Sequence, residues 1–254
     1  IALTTVLQEA DQDYPEIDRS AIRVFPVRRE ELFKYDVLIL GDVNPSFLSQ
    51  GVMQNIADFV TERGGGVVIF GGPHYMPLDY RGTPLADLFP FDPASVVLPP
   101  QGNLDQGFVV RPTAQGLASP QMQLGDTLPE TDELWGSLAP LYWLMDINQL
   151  KPAARVLAEH PTRRTAEGRL APVIIEQFVG AGTVIYQATD ETQRWRFRLG
   201  DFLFGRYWVQ TLRYLSRSKL LGEQPAELTT FHRKYRRGEA VPLQVRFRDD
   251  RQAP

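Results

Sequence analysis

The sequence predicts an α/β fold, with a mostly parallel central sheet, helices on both faces and a short C-terminal β extension. Two near-continuous apolar runs, at residues 36–42 and 67–70, are typical of parallel strands that are buried on both faces. Between them, apolar residues recur at helical spacing over residues 50–63, and the glycines at 64–66 favour a helix end there. Strand, helix and strand at this spacing indicate a right-handed βαβ unit.

The chain on either side of this unit is less regular. Residues 2–7 and 22–25 are short β-favouring runs that predict two short strands. Residues 73–135 are rich in proline and glycine, which predicts either a lid or an insertion on the sheet. Within this region residues 108–112 favour a strand. The aromatic cluster at 135–143 favours a core or an interface over a ligand platform.

Regular structure is predicted to resume near residue 154. Residues 154–158 favour a strand, and the runs 172–178 and 183–186 flank Gly180 and Gly182 as in a hairpin. Apolar residues at helical spacing predict a helix over 201–221. Beyond Glu223, alternation at 241–247 indicates a β element that is too short to bury a core of its own.

We therefore expect one domain over residues 1–222, followed at 223–254 by a linker and the start of a truncated β domain. A strand that packs back on the first domain is the alternative for this tail. The chain begins without Met, and we expect it to be a piece of a longer protein. No apolar run approaches the roughly 20 residues of a membrane-spanning helix.

Composition excludes several kinds of chemistry. The 254 residues include no cysteine, so disulfides, thiolate metal sites and thiol nucleophiles are absent. The net charge of −4 does not indicate any class of partner. The chain from Glu191 onward, however, carries 14 Lys and Arg against 7 Asp and Glu, a charge of about +7. Such a basic segment favours an anionic partner in principle. Solvated helix faces with local ion pairs are the better interpretation.

Two predicted strands run into tight polar turns that form a candidate site. The first continues through Gly71 and Gly72 to His74, and the second continues through Thr189 to Asp190 and Glu191. Ligands and catalytic groups of open α/β sheets collect at the carboxyl ends of the strands. The glycines permit either a close approach of backbones or an anion site built from exposed N–H groups.

The polar side chains of these turns have a functional and a structural interpretation. His74 is the best histidine for acid or base work, and otherwise a loop histidine. Asp190 and Glu191 either bind a divalent cation or orient a base, or they join the arginines at 194, 196 and 198 in an ion-pair network that caps the following helix. Asp42, after the preceding strand, either converges on the same edge or acts as a turn residue.

Several motifs are missing from the sequence. It contains no G-x-x-x-x-G-K-[ST] phosphate loop, no G-x-G-x-x-G after the first strand and no H-E-x-x-H spacing. We therefore expect no nucleotide, no other cofactor, no metal and no nucleic-acid partner.

Three stretches together resemble a known family. Residues 35–43 (YDVLILGDV), 59–66 (FVTERGGG) and 188–196 (ATDETQRWR) are similar to the class I glutamine amidotransferase-like domain of large bacterial membrane proteins, often found beside a von Willebrand factor type A domain. The resemblance spans residues 1–222 and implies a flavodoxin-like three-layer sandwich. It also implies that one more strand and helix normally come first, and that the tail opens an immunoglobulin-like domain.

The resemblance argues against the chemistry of that family. Its active members use a Cys-His-Glu triad, and the position of the cysteine falls at Gly71 and Gly72 in this chain. The histidine position holds Thr189, and Glu191 alone matches. Without a thiolate no amide can be attacked by that route, so the chain is not expected to hydrolyse glutamine.

The expected function is a non-catalytic binding or interaction module of a membrane-anchored bacterial protein. Its partners would be other domains of the parent or other membrane-associated proteins, with the membrane reached only through segments outside this chain. The alternatives are a hydrolase-type enzyme that uses Asp190, Glu191 and His74, or a small-molecule sensor. The residues expected to line the cleft are Asp42, Gly71, Gly72, His74, Thr189, Asp190, Glu191, Trp195 and Arg196.

Overall fold

A six-stranded sheet forms the centre of the fold. The structure is a computed structural model that describes residues 1–11, 13–99, 106–222, 226–230 and 243–247. The strand order is β1-β2-β6-β5-β4-β3. The strands are β1 (Val37–Leu40), β2 (Gly66–Phe70), β3 (Arg111–Pro112), β4 (Arg155–Arg164), β5 (Leu170–Val179) and β6 (Gly182–Gln187).

The sheet is mixed, not mostly parallel as the sequence predicted. The pairs β1–β2 and β2–β6 are parallel, whereas β6–β5, β5–β4 and β4–β3 are antiparallel. The reason lies in the connections. Strands β5 and β6 are joined by a tight turn at Gly180, which has a positive φ of 60°, and so short a loop can join only antiparallel strands. The α/β class and the hairpin are confirmed. The pairing changes from parallel to antiparallel between β6 and β5.

Seven α-helices surround the sheet in the described part of the chain. They are α1 (Tyr14–Ile17), α2 (Arg29–Leu32), α3 (Gln50–Thr61), α4 (Ala114–Ala118), α5 (Leu128–Ser137), α6 (Arg196–Leu199) and α7 (Asp201–Gly222). The predicted βαβ unit is β1-α3-β2. The hydroxyl of Ser49 caps α3 by accepting a hydrogen bond from the backbone N–H of Val52, and Gly64 follows the helix with a φ of 77°.

Helices α3 and α7 cover opposite faces of the sheet. A Cβ atom on Gly182, the first residue of β6, would meet the backbone of Val60 in α3. Gln187, the last residue of β6, donates a hydrogen bond from Nε2 to the hydroxyl of Tyr207 in α7. Since successive side chains of a strand alternate between faces, residues five apart point to opposite sides. Strands β2 and β6 are therefore buried on both faces.

The described parts of the 73–135 region pack on the sheet as an insertion. Phe89 and Phe91 are fully buried, and their rings lie 5.9 and 4.8 Å from the ring of Tyr186 in β6. Trp135, at the start of the aromatic cluster, is also fully buried, and its indole N–H donates to the carbonyl of Met122. This region therefore contributes to the hydrophobic core, as an insertion does and a lid does not.

Some predicted strands at the N-terminal end and in the insertion are shorter than expected or absent. Residues 2–7 and 22–25 form no strand, and the one bridge in this region joins Thr5 to Ala21. Most of their apolar side chains remain exposed and do not stabilise a ladder. Of residues 108–112 only β3 forms, and Phe108 makes an isolated bridge to Leu141.

The C-terminal tail contains a second, separate sheet. Strands β7 (Ala226–Thr230) and β8 (Leu243–Phe247) pair antiparallel with each other. The linker at 223–225 and the basic run at 233–238 lie outside the described residues, as does the remainder of the predicted truncated domain. Within the described ranges, no helix combines the length and the apolar character that a membrane crossing requires.

Candidate functional site

The three strand ends that the sequence singled out lie side by side. Strands β1, β2 and β6 are parallel neighbours, so their carboxyl ends share one edge of the sheet. The chain continues from these ends into Asp42, into the Gly71–His74 turn and into Thr189. The backbone N–H of Gly71 donates to the carbonyl of Gln187 over 2.7 Å, which joins two of the turns.

The carboxylate of Asp42 organises the turn that follows β2. One oxygen accepts hydrogen bonds from the backbone N–H groups of Tyr75 (2.8 Å) and Met76 (2.7 Å). The other accepts from the N–H of His74 (2.8 Å) and lies 3.0 Å from Nδ1 of its ring. Asp42 is only 14% exposed and His74 is 73% exposed. The carboxylate therefore holds the turn in place and orients an imidazole that faces solvent.

The glycines at the tip of this turn leave no room for a side chain. A Cβ atom on Gly72 would lie under 3.0 Å from the carboxyl carbon of Asp42, and one on Gly71 would lie under 3.0 Å from the hydroxyl oxygen of Tyr186. Both glycines are thus required by the close approach of these two side chains. The carboxylate of Asp42 fills the space into which a side chain on residue 72 would project.

Tyr186 lies beneath the turn and is fully buried. Its hydroxyl has no hydrogen-bond partner within the described part of the chain. Burial raises the pKa of this hydroxyl well above its ordinary value, and the negative charge of Asp42 acts in the same direction. Tyr186 therefore remains neutral.

Glu191 is fully engaged by the insertion and by an arginine. One carboxylate oxygen accepts from the backbone N–H groups of Tyr142 (2.5 Å) and Trp143 (2.9 Å), and the other accepts from Nε of Arg194 (3.0 Å). The guanidinium of Arg194 also lies 4.9 Å from the ring centre of Tyr142. Of the predicted ion-pair network, the pair between Glu191 and Arg194 forms, whereas Arg196 pairs with Asp201. That network ties residues 142–143 to the strand end.

Asp190 presents its side chain to solvent beside this network. The neighbouring Thr189 is buried, and its hydroxyl accepts from the backbone N–H of Glu191 over 3.2 Å. Partial burial raises the pKa of the Asp190 carboxyl above its ordinary value. The negative charges of Glu191 and Asp42 raise it further, while His74 opposes them. Asp190 and His74 are therefore the titratable side chains of these turns that face solvent.

Two residues expected in the cleft make contacts of other kinds. Trp195 is buried, with its ring 5.3 Å from Trp135 and 5.2 Å from Tyr207 in edge-to-face contacts, so it belongs to the core. Arg196 is exposed and pairs with Asp201 at the start of α7. Glu191–Trp195 form one 3-10 turn, which Asp190 precedes and in which the tryptophan is buried.

His160 is held neutral by its surroundings. Its Nδ1 accepts from the backbone N–H groups of Thr162 (3.1 Å) and Arg163 (2.8 Å), and its ring lies 4.2 Å from the ring of Phe108. Burial, with a smaller contribution from the positive charge of Arg163, lowers the pKa of His160 to about 4. The described residues include no group of three His, Cys, Asp or Glu side chains placed to hold a metal ion. His232 lies outside the described residues.

Sequence reasoning missed the partners that give the site its structure. Tyr142 and Trp143 bind Glu191 through backbone N–H groups, and every residue except proline carries one, so the pattern of side chains gives no signal for the contact. Tyr186 was recognised as part of a buried strand. Its position under Gly71 depends on the register between β2 and β6.

Comparison with known proteins finds similar structures but no matching sequence family. No family model matches the chain, and no curated protein matches it. Cytoplasmic Protein STM1381 from Salmonella typhimurium LT2 is 20% identical with a TM-score of 0.51, over 75% of this chain and 76% of that one. Cytoplasmic Protein STM3548 from Salmonella typhimurium is 19% identical with a TM-score of 0.52, over 76% of each chain. At these identities the likeness concerns the α/β fold alone.

Proposed function

We propose that this chain is a non-catalytic, amidotransferase-like binding module of a larger, membrane-anchored bacterial protein. The observation that carries the proposal is the closed turn at Gly71 and Gly72. There the carboxylate of Asp42 and the hydroxyl of Tyr186 fill the space that a nucleophilic side chain needs. A covalent mechanism requires a nucleophile that substrate can reach.

The state of Glu191 supports the same proposal. In an active member of the resembled family, a glutamate at this place would assist a histidine. Here the carboxylate accepts two backbone N–H groups and the Nε of Arg194, so it is committed to holding residues 142–143. The histidine position holds Thr189, which is buried and bonded to the backbone of Glu191. The residues at the three positions of the family's Cys-His-Glu triad therefore all have structural roles in this chain.

We further propose that the fold is a flavodoxin-like three-layer sandwich. Support comes from the parallel β1-β2-β6 group and from the placement of α3 and α7 on opposite faces. The antiparallel strands β3 to β5 would then extend one side of the sheet.

Asp190 and His74 are the side chains that we assign to binding at this edge. Both are exposed beside the ordered Asp42 turn. Their partner would be another domain of the parent protein or another membrane-associated protein.

The proposal is tested by assaying the purified chain for ammonia release from glutamine. We expect none, in the wild-type protein and in Asp190→Asn alike. Turnover that persists through purification and is lost in Asp190→Asn or His74→Gln would overturn the proposal. A melting-temperature screen against a panel of metabolites separates a sensor from an interaction module, since a ligand that binds the native state raises the melting temperature. A shift that Asp190→Asn abolishes and Glu167→Gln retains would establish the sensor alternative.

One observation favours a second candidate, a hydrolase-type enzyme. Asp42 orients the exposed imidazole of His74 through Nδ1. Asp190, whose carboxyl has a pKa raised by partial burial, is exposed after the neighbouring strand β6. An oriented imidazole and a carboxyl with a raised pKa are groups that acid and base catalysis can use. This enzyme would use His74 and Asp190, with Glu191 in a structural role. Hydrolysis of a model ester or amide panel that His74→Gln removes would establish it.

A further inference from the structure

Strand β1 forms an open edge of the six-stranded sheet. It pairs with β2 on one side, and within the described part of the chain no strand pairs with its other side. The backbone N–H of Gly66 donates to the carbonyl of Asp36. Since the backbone groups of successive residues point to alternate sides of a strand, Val37 and Ile39 direct their N–H and carbonyl groups away from β2. These four groups make no hydrogen bond among the described residues, and we call them the β1 edge.

The side chain of Ile39 beside this edge is apolar and only partly covered. Ile39 is in register with Val68 in β2, and Gly66, two residues before Val68, lies on the same face of the sheet. A Cβ atom on Gly66 would meet Leu215, so α7 covers that face. Ile39 is nevertheless 45% exposed, because α7 does not extend over the outer side of β1. A side chain on an added strand would cover this surface.

The β1 edge lacks the protection that open edges usually have. Native proteins block such edges with charged side chains or proline, and β1 reads Val-Leu-Ile-Leu. Of the sixteen large apolar side chains that are exposed in the described residues, nine lie between Ile1 and Ile39. Apolar surface concentrated in this way is typical of an interaction site. The N-terminal part of the chain and β1 therefore form the surface to which a partner is expected to bind.

Three exposed carboxylates lie close to the carboxyl end of β1. The side-chain amide of Gln8 exchanges two hydrogen bonds with the backbone of Asn44, at 3.1 and 2.9 Å, which holds the N-terminal segment beside the chain that leaves β1. Glu9, Asp11 and Asp13 follow directly, are exposed, and form no ion pair within the described ranges.

Basic residues of the same segment do not cancel this charge. Residues 1–23 contain five Asp and Glu against Arg19 and Arg23, a net charge of −3. Arg23 lies 3.9 Å from Glu16. A ligand with Lys or Arg at this end of β1 is therefore complementary in charge.

We propose that the β1 edge binds an extended peptide segment of a partner protein, which joins the sheet as a seventh strand. The partner segment has apolar residues at alternate positions and Lys or Arg at the end that meets the carboxyl end of β1. Backbone hydrogen bonds to Val37 and Ile39 supply affinity in this mode of binding, and the alternate side chains supply specificity. The proposal does not rest on Asp190 and His74.

The charge favours such a partner over a second copy of this chain. Two copies that paired β1 with β1 around a two-fold axis would be antiparallel, so the amino end of one strand would meet the carboxyl end of the other. That amino end brings Lys34 and Asp36, whose charges cancel. A second copy therefore lacks the basic residues that complement Glu9, Asp11 and Asp13.

The experiment measures the binding of two fluorescein-labelled peptides by fluorescence anisotropy. Lys-Lys-Val-Thr-Val-Thr-Val has its lysines in place for antiparallel addition, and Val-Thr-Val-Thr-Val-Lys-Lys has them in place for parallel addition. One of the two peptides should bind the wild-type chain with a dissociation constant below about 1 mM. Ile39→Pro should raise that constant at least about tenfold, because proline removes an N–H of the β1 edge that β2 does not use.

Two controls separate backbone pairing from general apolar contact. Ile39→Ala keeps the N–H, so it should raise the dissociation constant only about threefold or less. Methylation of the peptide's own backbone nitrogens tests the same hydrogen bonds from the other side. Methyl groups on the alternate residues that face the edge should abolish binding, and methyl groups on the intervening residues should leave it unchanged.

A further pair of variants tests the charge. Asp11→Asn/Asp13→Asn should raise the dissociation constant of the bound peptide about threefold. Asp132→Asn/Glu133→Gln is the matched control, since it neutralises two exposed carboxylates of α5, and it should have no effect. An equal effect of the two pairs would overturn the assignment of basic residues to the partner.

Several other results would overturn the proposal. One is that neither peptide binds up to about 1 mM. Another is binding that a folded Ile39→Pro variant retains, or that methylation weakens equally at both sets of residues. If the wild-type chain sediments as a dimer and Ile39→Pro as a monomer, the β1 edge belongs to a second copy instead. Release of ammonia from glutamine is measured independently of all these results, so this proposal and the proposed lack of catalysis can fail separately.

Discussion

Replacing Asp42 by alanine would remove the acceptor for three consecutive backbone N–H groups and for the ring of His74. A hydrogen bond to a charged group contributes about 1.5–3 kcal/mol, and a buried donor left without a partner adds a desolvation cost. Asp42 is 14% exposed, so water replaces the carboxylate only in part. The contributions are not additive within one network. We therefore expect Asp42→Ala to lower the free energy of unfolding by about 3–5 kcal/mol, near the upper end for one substitution.

Urea denaturation followed by tryptophan fluorescence measures this loss. Asp92→Ala is the matched control, because that carboxylate accepts a single backbone N–H, from Ala94 over 2.9 Å, at an exposed turn. Its loss should cost about 1 kcal/mol or less. Asp42→Asn, which keeps one carbonyl oxygen, should fall between the two. An Asp42→Ala variant that is no less stable than Asp92→Ala would refute the view that this carboxylate holds the turn.

Three further substitutions test other parts of the structure. Gly72→Ala should lower the free energy of unfolding by about 2–4 kcal/mol, because the added Cβ collides with Asp42. Gly136→Ala is the control: open space surrounds Gly136 in α5, so this change should be neutral or stabilising by up to about 1 kcal/mol. Thermal melts of the two variants compare them directly. Glu191→Ala should cost about 2–4 kcal/mol by freeing two backbone N–H groups, against about 0.5 kcal/mol or less for the exposed Glu167→Ala; equal losses in urea melts would contradict this. The folded-state pKa of His160, about 4, lies below its ordinary value of 6.5, so its stabilising contribution is present above pH 6.5 and is lost as pH falls towards 4. His160→Gln should flatten that part of the pH–stability profile by on the order of 2 kcal/mol, and an unchanged profile would exclude the contribution.

The sequence was sufficient to predict the elements with a strong local pattern. The β1-α3-β2 unit follows from apolar runs and helical spacing, and α7 from its stripe of apolar residues. The β5–β6 hairpin follows from the glycines between two apolar runs. Convergence of the strand ends follows from parallel pairing alone, and Asp42, Gly71 and Thr189 do lie at one edge.

The remaining structure depends on contacts between distant residues. The order of β3, β4 and β5 is set by pairing across the sheet, and the hydrophobic pattern of each strand is compatible with either direction. The insertion is stabilised by aromatic contacts such as Phe91 with Tyr186, which are 95 positions apart in the sequence. The role of Glu191 depends on backbone donors 48 and 49 residues away.

Asp42 leaves no space for a side chain at residue 72. The carboxylate of Asp42 stands where a side chain on residue 72 would project, and it supplies the hydrogen bonds that shape the turn. A cysteine placed at Gly72 would therefore have to displace the group that holds the turn in position. A cysteine side chain at residue 72 would distort the turn. Removing Asp42 to make room would leave the backbone N–H groups that it binds without an acceptor. We accordingly expect Gly72→Cys to lower stability about as much as Gly72→Ala and to produce no ammonia from glutamine. Glutaminase activity in that variant would show that the turn tolerates a nucleophile after all.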